Sequence, residues 1–119
     1  MEYNIERFCK AGLRNLNGYV FDVETTNKAL DNYINKPIVL INKGEPYLGD
    51  VKKTDKIVGY MTNHSSESIK CFLYEGFIDE NFDPQKYVAA LGVSVNDINP
   101  DTGLCIVDSV KKIAIWKQY

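Results

Sequence analysis

Apolar residues in this sequence come in short runs and in alternation with polar ones, a pattern that favours β-strands. The longest apolar run, Pro37 to Ile41, has the length of a strand and is far shorter than the roughly 20 residues of a membrane-spanning helix. From Ser68 to Ile78 the side chains alternate between two faces, one of which carries Ile69, Cys71 and Leu73. The other face carries aromatic residues, so we expect both faces to be at least partly covered.

The chain has 119 residues, the length of one ordinary domain with one hydrophobic core. No internal repeat, low-complexity stretch or linker divides it, so we predict a single domain over residues 1–119. Its composition, 45% hydrophobic and 25% charged, is that of a globular protein and excludes a disordered tail or a coiled-coil rod.

Two short helices are predicted among the strands. Thr25 or Thr26 supplies an N-cap oxygen for the first helix, which ends before Pro37. Its apolar face consists of Ala29, Leu30, Tyr33 and Ile34. The second helix is predicted from Pro84 to about Leu91, because Asp83 followed by proline is a strong helix start and Gly92 is expected to end it.

The remaining pattern predicts about six strands, mostly antiparallel. The opening segment fits either a strand or a helix, and we favour a strand. The predicted strands are Tyr3–Leu13, Tyr19–Val23, Ile38–Ile41, Ile57–Met61, Ser68–Ile78 and Leu104–Lys117, the last being one long strand or two bent ones. Turns are expected at Asn63–Ser66 and Asn96–Gly103. The predicted fold class is therefore α+β.

Charge and cysteine content restrict the cellular context and the partners. The net charge of −2 argues against sequence-independent nucleic-acid binding, which needs a basic surface. The first residues show no signal-peptide pattern and no segment is long enough to span a membrane, so we expect neither secretion nor membrane insertion. The three cysteines, Cys9, Cys71 and Cys105, are odd in number and widely spaced. They indicate reduced thiols of an intracellular protein without a cofactor or metal.

The one histidine, His64, lies beside two serines, which invites comparison with a Ser/His catalytic pair. Adjacent residues in a turn rarely reach attack geometry, however, and serine proteases assemble these groups from distant segments. We therefore expect His64 to be a solvated turn residue.

A second candidate is calcium binding in the turn near residue 100. The spacing of an EF-hand loop is approached by Asp97, Asn99, Asp101 and Asp108. Thr102 stands where that loop needs glycine, and the flanking segments are predicted strands. A plain hairpin turn rich in Asn and Asp is the preferred interpretation.

Two surfaces are candidates for binding. The long loop from Asn42 to Asp55 carries Lys52 and Lys53, which form either a solvated surface or a cradle for phosphate. No glycine-rich phosphate loop accompanies them. The neighbouring aromatic residues Phe72, Tyr74 and Phe77 either join the core or form a docking surface.

The order of landmarks along the chain resembles a known family. The landmarks are Tyr19–Asp22, a helix, Asn35–Leu40, a loop, Ile57–Tyr60, Ile69–Leu73, a short helix, Ala90–Val95, an Asn/Asp turn and Val110–Ile115. Together they are similar to the prohead maturation proteases of tailed phages and to their phage relatives. The resemblance implies a small barrel-like α+β fold, which herpesvirus assembly proteases share.

The catalytic residues that the resemblance implies are missing from this sequence. Asn42 stands near the place of the catalytic histidine, and Ala90 stands at the place of the nucleophilic serine. An amide is a negligible base and alanine has no attacking atom. Ser94 with His64 is the remaining Ser/His combination.

The resemblance therefore predicts a non-catalytic phage virion or capsid-assembly protein that acts through protein–protein contacts. The expected partners are capsid or other virion proteins and further copies of the chain, in the virion or the host cytoplasm. One alternative is a phage inhibitor of host defence, either blocking a protein or sequestering a nucleotide with Lys52, Lys53 or Arg14. The other alternative is a serine protease of the prohead type.

Overall fold

The computed structural model describes all residues, 1–119, and contains seven strands and one α-helix. The helix, α1, spans Val23–Asp31. The strands are β1 (Glu2–Arg7), β2 (Val20–Phe21), β3 (Pro37–Leu40), β4 (Lys56–His64), β5 (Ser68–Leu73), β6 (Tyr87–Ile98) and β7 (Leu104–Lys117).

Six of the strands close into a barrel. Their order is β7-β3-β4-β5-β1-β6, and β6 pairs again with β7, while β2 is added outside along β7. Four of the six barrel pairings are antiparallel, and the β1–β6 and β3–β7 pairings are parallel. The predicted single small domain of mostly antiparallel strands is confirmed, in the form of a closed mixed barrel.

Helix α1 is capped by Asp22 rather than by Thr25 or Thr26. The Asp22 carboxylate accepts a hydrogen bond from the Thr25 backbone N–H at 2.9 Å. The Thr25 hydroxyl oxygen instead accepts from the backbone N–H of Val107 at 3.1 Å and so ties the helix to β7. Asn35, with a φ of 71°, reverses the chain after the helix, a conformation that asparagine tolerates better than most residues.

The predicted second helix is wrong. Pro84–Lys86 forms a single 3₁₀ turn, and the chain then continues as β6. Side chains of β6 alternate between the two faces of the strand. Ala89 lies in the main core, and Val88 and Ala90 lie in a cluster outside it. Because β6 closes the barrel between β1 and β7, backbone pairing along the strand overrides the local helix-start signal.

Other boundaries shift by a few residues. Strand β4 runs to His64, so the turn predicted at Asn63–Ser66 begins later, after the strand. Strand β1 confirms the strand interpretation of the opening segment but ends at Arg7. The final run is one strand, β7, with register shifts against β6. The nine-residue helix α1 is too short and too polar to cross a membrane.

The main core fills the barrel and is closed by α1. It includes the fully buried residues Ile5, Leu30, Ile38, Met61, Ile69, Leu73, Ile113 and Ile115. A smaller cluster of Val88, Ala90 and Trp116 lies outside the barrel wall, covered by Ile41 and Tyr47. This outer cluster positions the candidate site.

Candidate functional site

An open groove runs over the outer cluster, between the segment Phe8–Asn17 and the loop Asn42–Asp55. We call it the outer groove. Its volume is about 260 Å³ and its lining is predominantly apolar. The lining residues used below are Arg7, Phe8, Leu16, Tyr47, Leu48 and Leu91.

Tyr47 anchors the middle of the loop to the barrel. Its ring stacks on Trp116 with 6.0 Å between ring centroids. A Cβ atom added to Gly92 would come within 2.4 Å of the Tyr47 carbonyl oxygen. Gly92 is therefore the residue that lets the loop backbone lie directly on β6, and it does not end a helix as predicted.

A buried ion pair anchors the end of the same loop. Lys112 Nζ lies 2.8 Å from Asp55 Oδ2, and the Lys112 side chain is only 5% exposed. The Asp55 carboxylate also accepts from the Lys52 backbone N–H at 2.7 Å. The hydrogen bond from Lys112, followed by that from Lys52, holds the pKa of Asp55 below its ordinary value.

The rim of the outer groove exposes large apolar side chains. Leu16 is 94% exposed and Leu48 is 70% exposed, and both line the groove from opposite segments. Leu13 and Phe8 are also exposed, and together with Leu16 they line a second, adjoining cavity. A grouping of this kind, unlike scattered surface leucines, is typical of a binding surface.

Arg7 lies at the side of the groove and has no carboxylate partner. Its Nη1 donates two long hydrogen bonds, 3.4 Å to the Ser65 carbonyl and 3.5 Å to the Ser66 carbonyl. Its Nε is buried and without a partner. Burial lowers the pKa of Arg7, and the nearby Cys9 opposes this, although an arginine stays charged at neutral pH. Burial also raises the pKa of the Cys9 thiol.

The predicted aromatic surface divides into two groups. Phe72 and Tyr74 lie together with Tyr60, whose ring stacks on Phe72 at 5.3 Å between centroids. Phe77 belongs to a separate group with Phe82 and Tyr87, which packs against the main core. Of the three predicted aromatic residues, only Phe72 and Tyr74 share a surface, and Tyr74 is exposed.

The predicted cationic residues lie on different segments. Lys52 and Lys53 are exposed in the loop Asn42–Asp55. The Arg14 guanidinium donates to the carbonyls of Gly18 and Thr102, at 2.7 and 3.1 Å, and thereby ties two loops together.

His64 and Ser94 are engaged with different neighbours. His64 Nε2 is hydrogen-bonded to the Asp31 carboxylate, and its Nδ1 is buried without a partner. The Ser94 hydroxyl is hydrogen-bonded to Asp108 and Ser109 on the adjacent strand β7. No hydrogen bond joins His64 to a serine hydroxyl.

The turn near residue 100 has the geometry of an Asx-rich hairpin. Asn99 Oδ1 accepts from the backbone N–H groups of Asp101 and Thr102, and the Asn99 N–H donates to the Leu104 carbonyl. The structure contains no group of three or more His, Cys, Asp or Glu side chains placed to hold a metal ion.

Comparisons with protein-family models, curated proteins and solved structures find no match. The resemblance to prohead maturation proteases therefore stays a prediction from the sequence. The sequence reasoning missed Arg7, Leu16 and Leu48. A signal was present for Arg7, which follows Tyr3 and Ile5 in the alternating burial pattern of β1 and lies at the end of that strand. For Leu16 the signal is an apolar residue placed between Asn15 and Asn17 in a turn, where it is expected to be exposed.

Proposed function

We propose that this protein is a non-catalytic binding domain of a tailed phage, acting through protein–protein contacts in the virion or during capsid assembly. The observation that carries this proposal is the outer groove, with Leu16 and Leu48 exposed on opposite rims. Exposed leucines on both sides of an apolar groove gain free energy when a partner removes them from water.

Two aromatic residues that line the groove, Phe8 and Tyr47, are held in place by Trp116, which lies behind them. Trp116 is buried beneath Tyr47, and Phe8 contacts the Trp116 ring edge-on at 5.3 Å between centroids. Rigid aromatic groups surrounded by apolar rims are the usual anchors of protein interfaces. The loop that carries Leu48 is fixed at Tyr47 and Asp55, so little ordering entropy is lost on binding there.

The prohead proteases that the sequence resembles carry catalytic residues at two positions, and the residues found there in this chain support binding rather than chemistry. Ala90 packs in the outer cluster beside Trp116. Asn42 forms a local turn, in which its backbone N–H donates to the Glu45 carboxylate at 2.9 Å. Neither side chain can attack or deprotonate a substrate.

Mass spectrometry of purified virions and procapsids from the proposed source phage tests this function. We expect the chain in at least one of the two particles, in constant ratio to the major capsid protein. A Leu16→Ser/Leu48→Ser variant is expected to be incorporated poorly, whereas Tyr74→Ser, outside the groove, is incorporated normally. Absence from both particles would refute the virion role and favour the host-defence alternative.

A further inference from the structure

The molecule contains two buried cationic side chains, and only one has a counter-ion. Lys112 is paired with Asp55 at 2.8 Å. Arg7 is only 3% exposed, and its guanidinium makes just the two long hydrogen bonds to backbone carbonyls. A buried charge without a counter-ion is costly, so the surroundings of Arg7 are suited to an anion that the isolated chain does not supply.

Arg7 is the only charged residue that lines the outer groove, and it also lines a second cavity of about 410 Å³ that shares Phe8 and Leu16 with the groove. The charged residues around this second cavity are Glu6, Arg7, Lys10 and Arg14. Cations therefore predominate here, in a chain whose net charge is −2. Lys10 has a carboxylate partner, Glu67, but Arg14 contacts only carbonyl oxygens. The local charge favours an anionic ligand.

The backbone beside the groove is also open to pairing. Strand β1 pairs with β6 only at Val88 and Ala89. Beyond Ala89, the side of β6 away from β7 has no strand partner, and Ala90, Leu91 and Val93 from this part line the groove. An extended peptide can add to such an edge through backbone hydrogen bonds.

We propose that the outer groove binds an extended peptide segment of a partner protein, in which a carboxylate side chain is flanked by apolar residues. The carboxylate pairs with Arg7, and the apolar side chains lie against Leu16 and Leu48. A guanidinium is the natural partner for this group because it can donate two parallel hydrogen bonds to one carboxylate. This inference rests on the proposed function and specifies the chemistry of the partner segment.

Intrinsic fluorescence provides a direct assay. Trp116 is the only tryptophan, and its ring stacks on Tyr47, which lines the groove. We would titrate the full chain with a synthetic peptide that alternates aspartate and leucine, and with a matched peptide that alternates asparagine and leucine. The acidic peptide is expected to bind at least about tenfold more tightly, the effect of one charge-assisted contact.

Variants of the chain separate the charge from the apolar contacts. Arg7→Met is expected to bind the two peptides equally. Arg7→Lys keeps the charge but loses the paired donors, so it is expected to lose part of the preference for the acidic peptide. Leu16→Ser and Leu48→Ser are each expected to lower the affinity for both peptides by the same factor. Tyr74→Ser is the control and leaves binding unchanged. If Arg7→Met does not fold, judged by circular dichroism, the Arg7→Lys result decides.

Several outcomes would overturn the inference. These are equal binding of the acidic and amide peptides to the wild-type chain, an undiminished preference in the Arg7 variants, or binding of neither peptide. Free hexanoate that binds as tightly as the acidic peptide would identify a site for small carboxylates instead. Failure of peptide binding with the chain present in particles rejects only this inference. Peptide binding with the chain absent from particles rejects only the proposed phage role.

Discussion

Replacing Asp55 with asparagine tests whether the buried ion pair fixes the loop that borders the groove. The two charges are 2.8 Å apart, and at an effective dielectric constant of about 20 their attraction is roughly 6 kcal/mol. Desolvation offsets part of this attraction, and loss of one partner from a buried pair costs about 3–5 kcal/mol. The Asp55 side chain is 20% exposed, so we expect the lower end, about 3 kcal/mol.

The assay is urea unfolding followed by the fluorescence of Trp116. Asp55→Asn keeps a side-chain oxygen that can accept the Lys52 N–H, so the loss measures the ion pair. Glu67→Gln is the matched control, because its pair with Lys10 is exposed and contributes about 0–1 kcal/mol. The double variant Asp55→Asn/Lys112→Met removes both charges and is expected to recover most of the lost stability.

Two results would refute this reasoning. One is a loss for Asp55→Asn no larger than that for Glu67→Gln. The other is a double variant no more stable than Asp55→Asn alone. Either result would mean that Lys112 is not held as an uncompensated buried charge when Asp55 is removed.

The Asp55–Lys112 pair also makes the free energy of unfolding depend on pH, in a direction that follows from the pKa of Asp55. The folded-state pKa of Asp55 lies below its ordinary value of 3.8, chiefly because of the hydrogen bond from Lys112. The unfolded chain therefore takes up the proton first as the pH falls. The stability difference between wild type and Asp55→Asn is expected to be constant above pH 5 and to shrink below about pH 4. A difference that grows on acidification would contradict this assignment.

Three further predictions concern the packing around the site. Gly92→Ala is expected to cost about 1–3 kcal/mol and to speed tryptic cleavage of the loop that carries Tyr47, whereas Gly76→Ala, where an added Cβ meets open space, has little effect. Thr25→Val leaves a backbone N–H of β7 without its acceptor and is expected to lower the unfolding free energy by about 1–2 kcal/mol in the same urea assay. Burial and the charge of Glu2 raise the pKa of Cys71 to about 12, so iodoacetamide at pH 8 is expected to modify it only after unfolding.

Much of the barrel follows from patterns that a sequence displays locally. Strand β5 alternates cleanly over Ile69, Cys71 and Leu73, and the end of β7 is apolar enough to indicate a buried strand. The helix prediction fails over Tyr87–Leu91 because the apolar residues of this segment fit both a helical and an alternating period. Only the distant partners β1 and β7 decide between the two periods, and a local pattern does not contain them.

The site was harder to predict because each of its features joins distant parts of the chain. Gly92 fits the sequence pattern of a helix stop, but its role depends on the carbonyl of Tyr47. Arg7 looks like an ordinary surface arginine until the β4–β5 turn is folded over it. The separation of Phe77 from Phe72 also follows from the chain leaving the sheet at Leu73.

Site-specific photo-cross-linking in particles tests most directly whether the chain acts through the outer groove. A photoreactive amino acid would replace Leu16, Leu48 or Tyr74 in turn, and the particles would be irradiated and analysed by mass spectrometry. We predict cross-links to a virion or assembly protein from positions 16 and 48, at a segment with carboxylate and apolar side chains, and none from position 74. Cross-links from position 74 alone, or none from the groove in particles that contain the chain, would contradict the account.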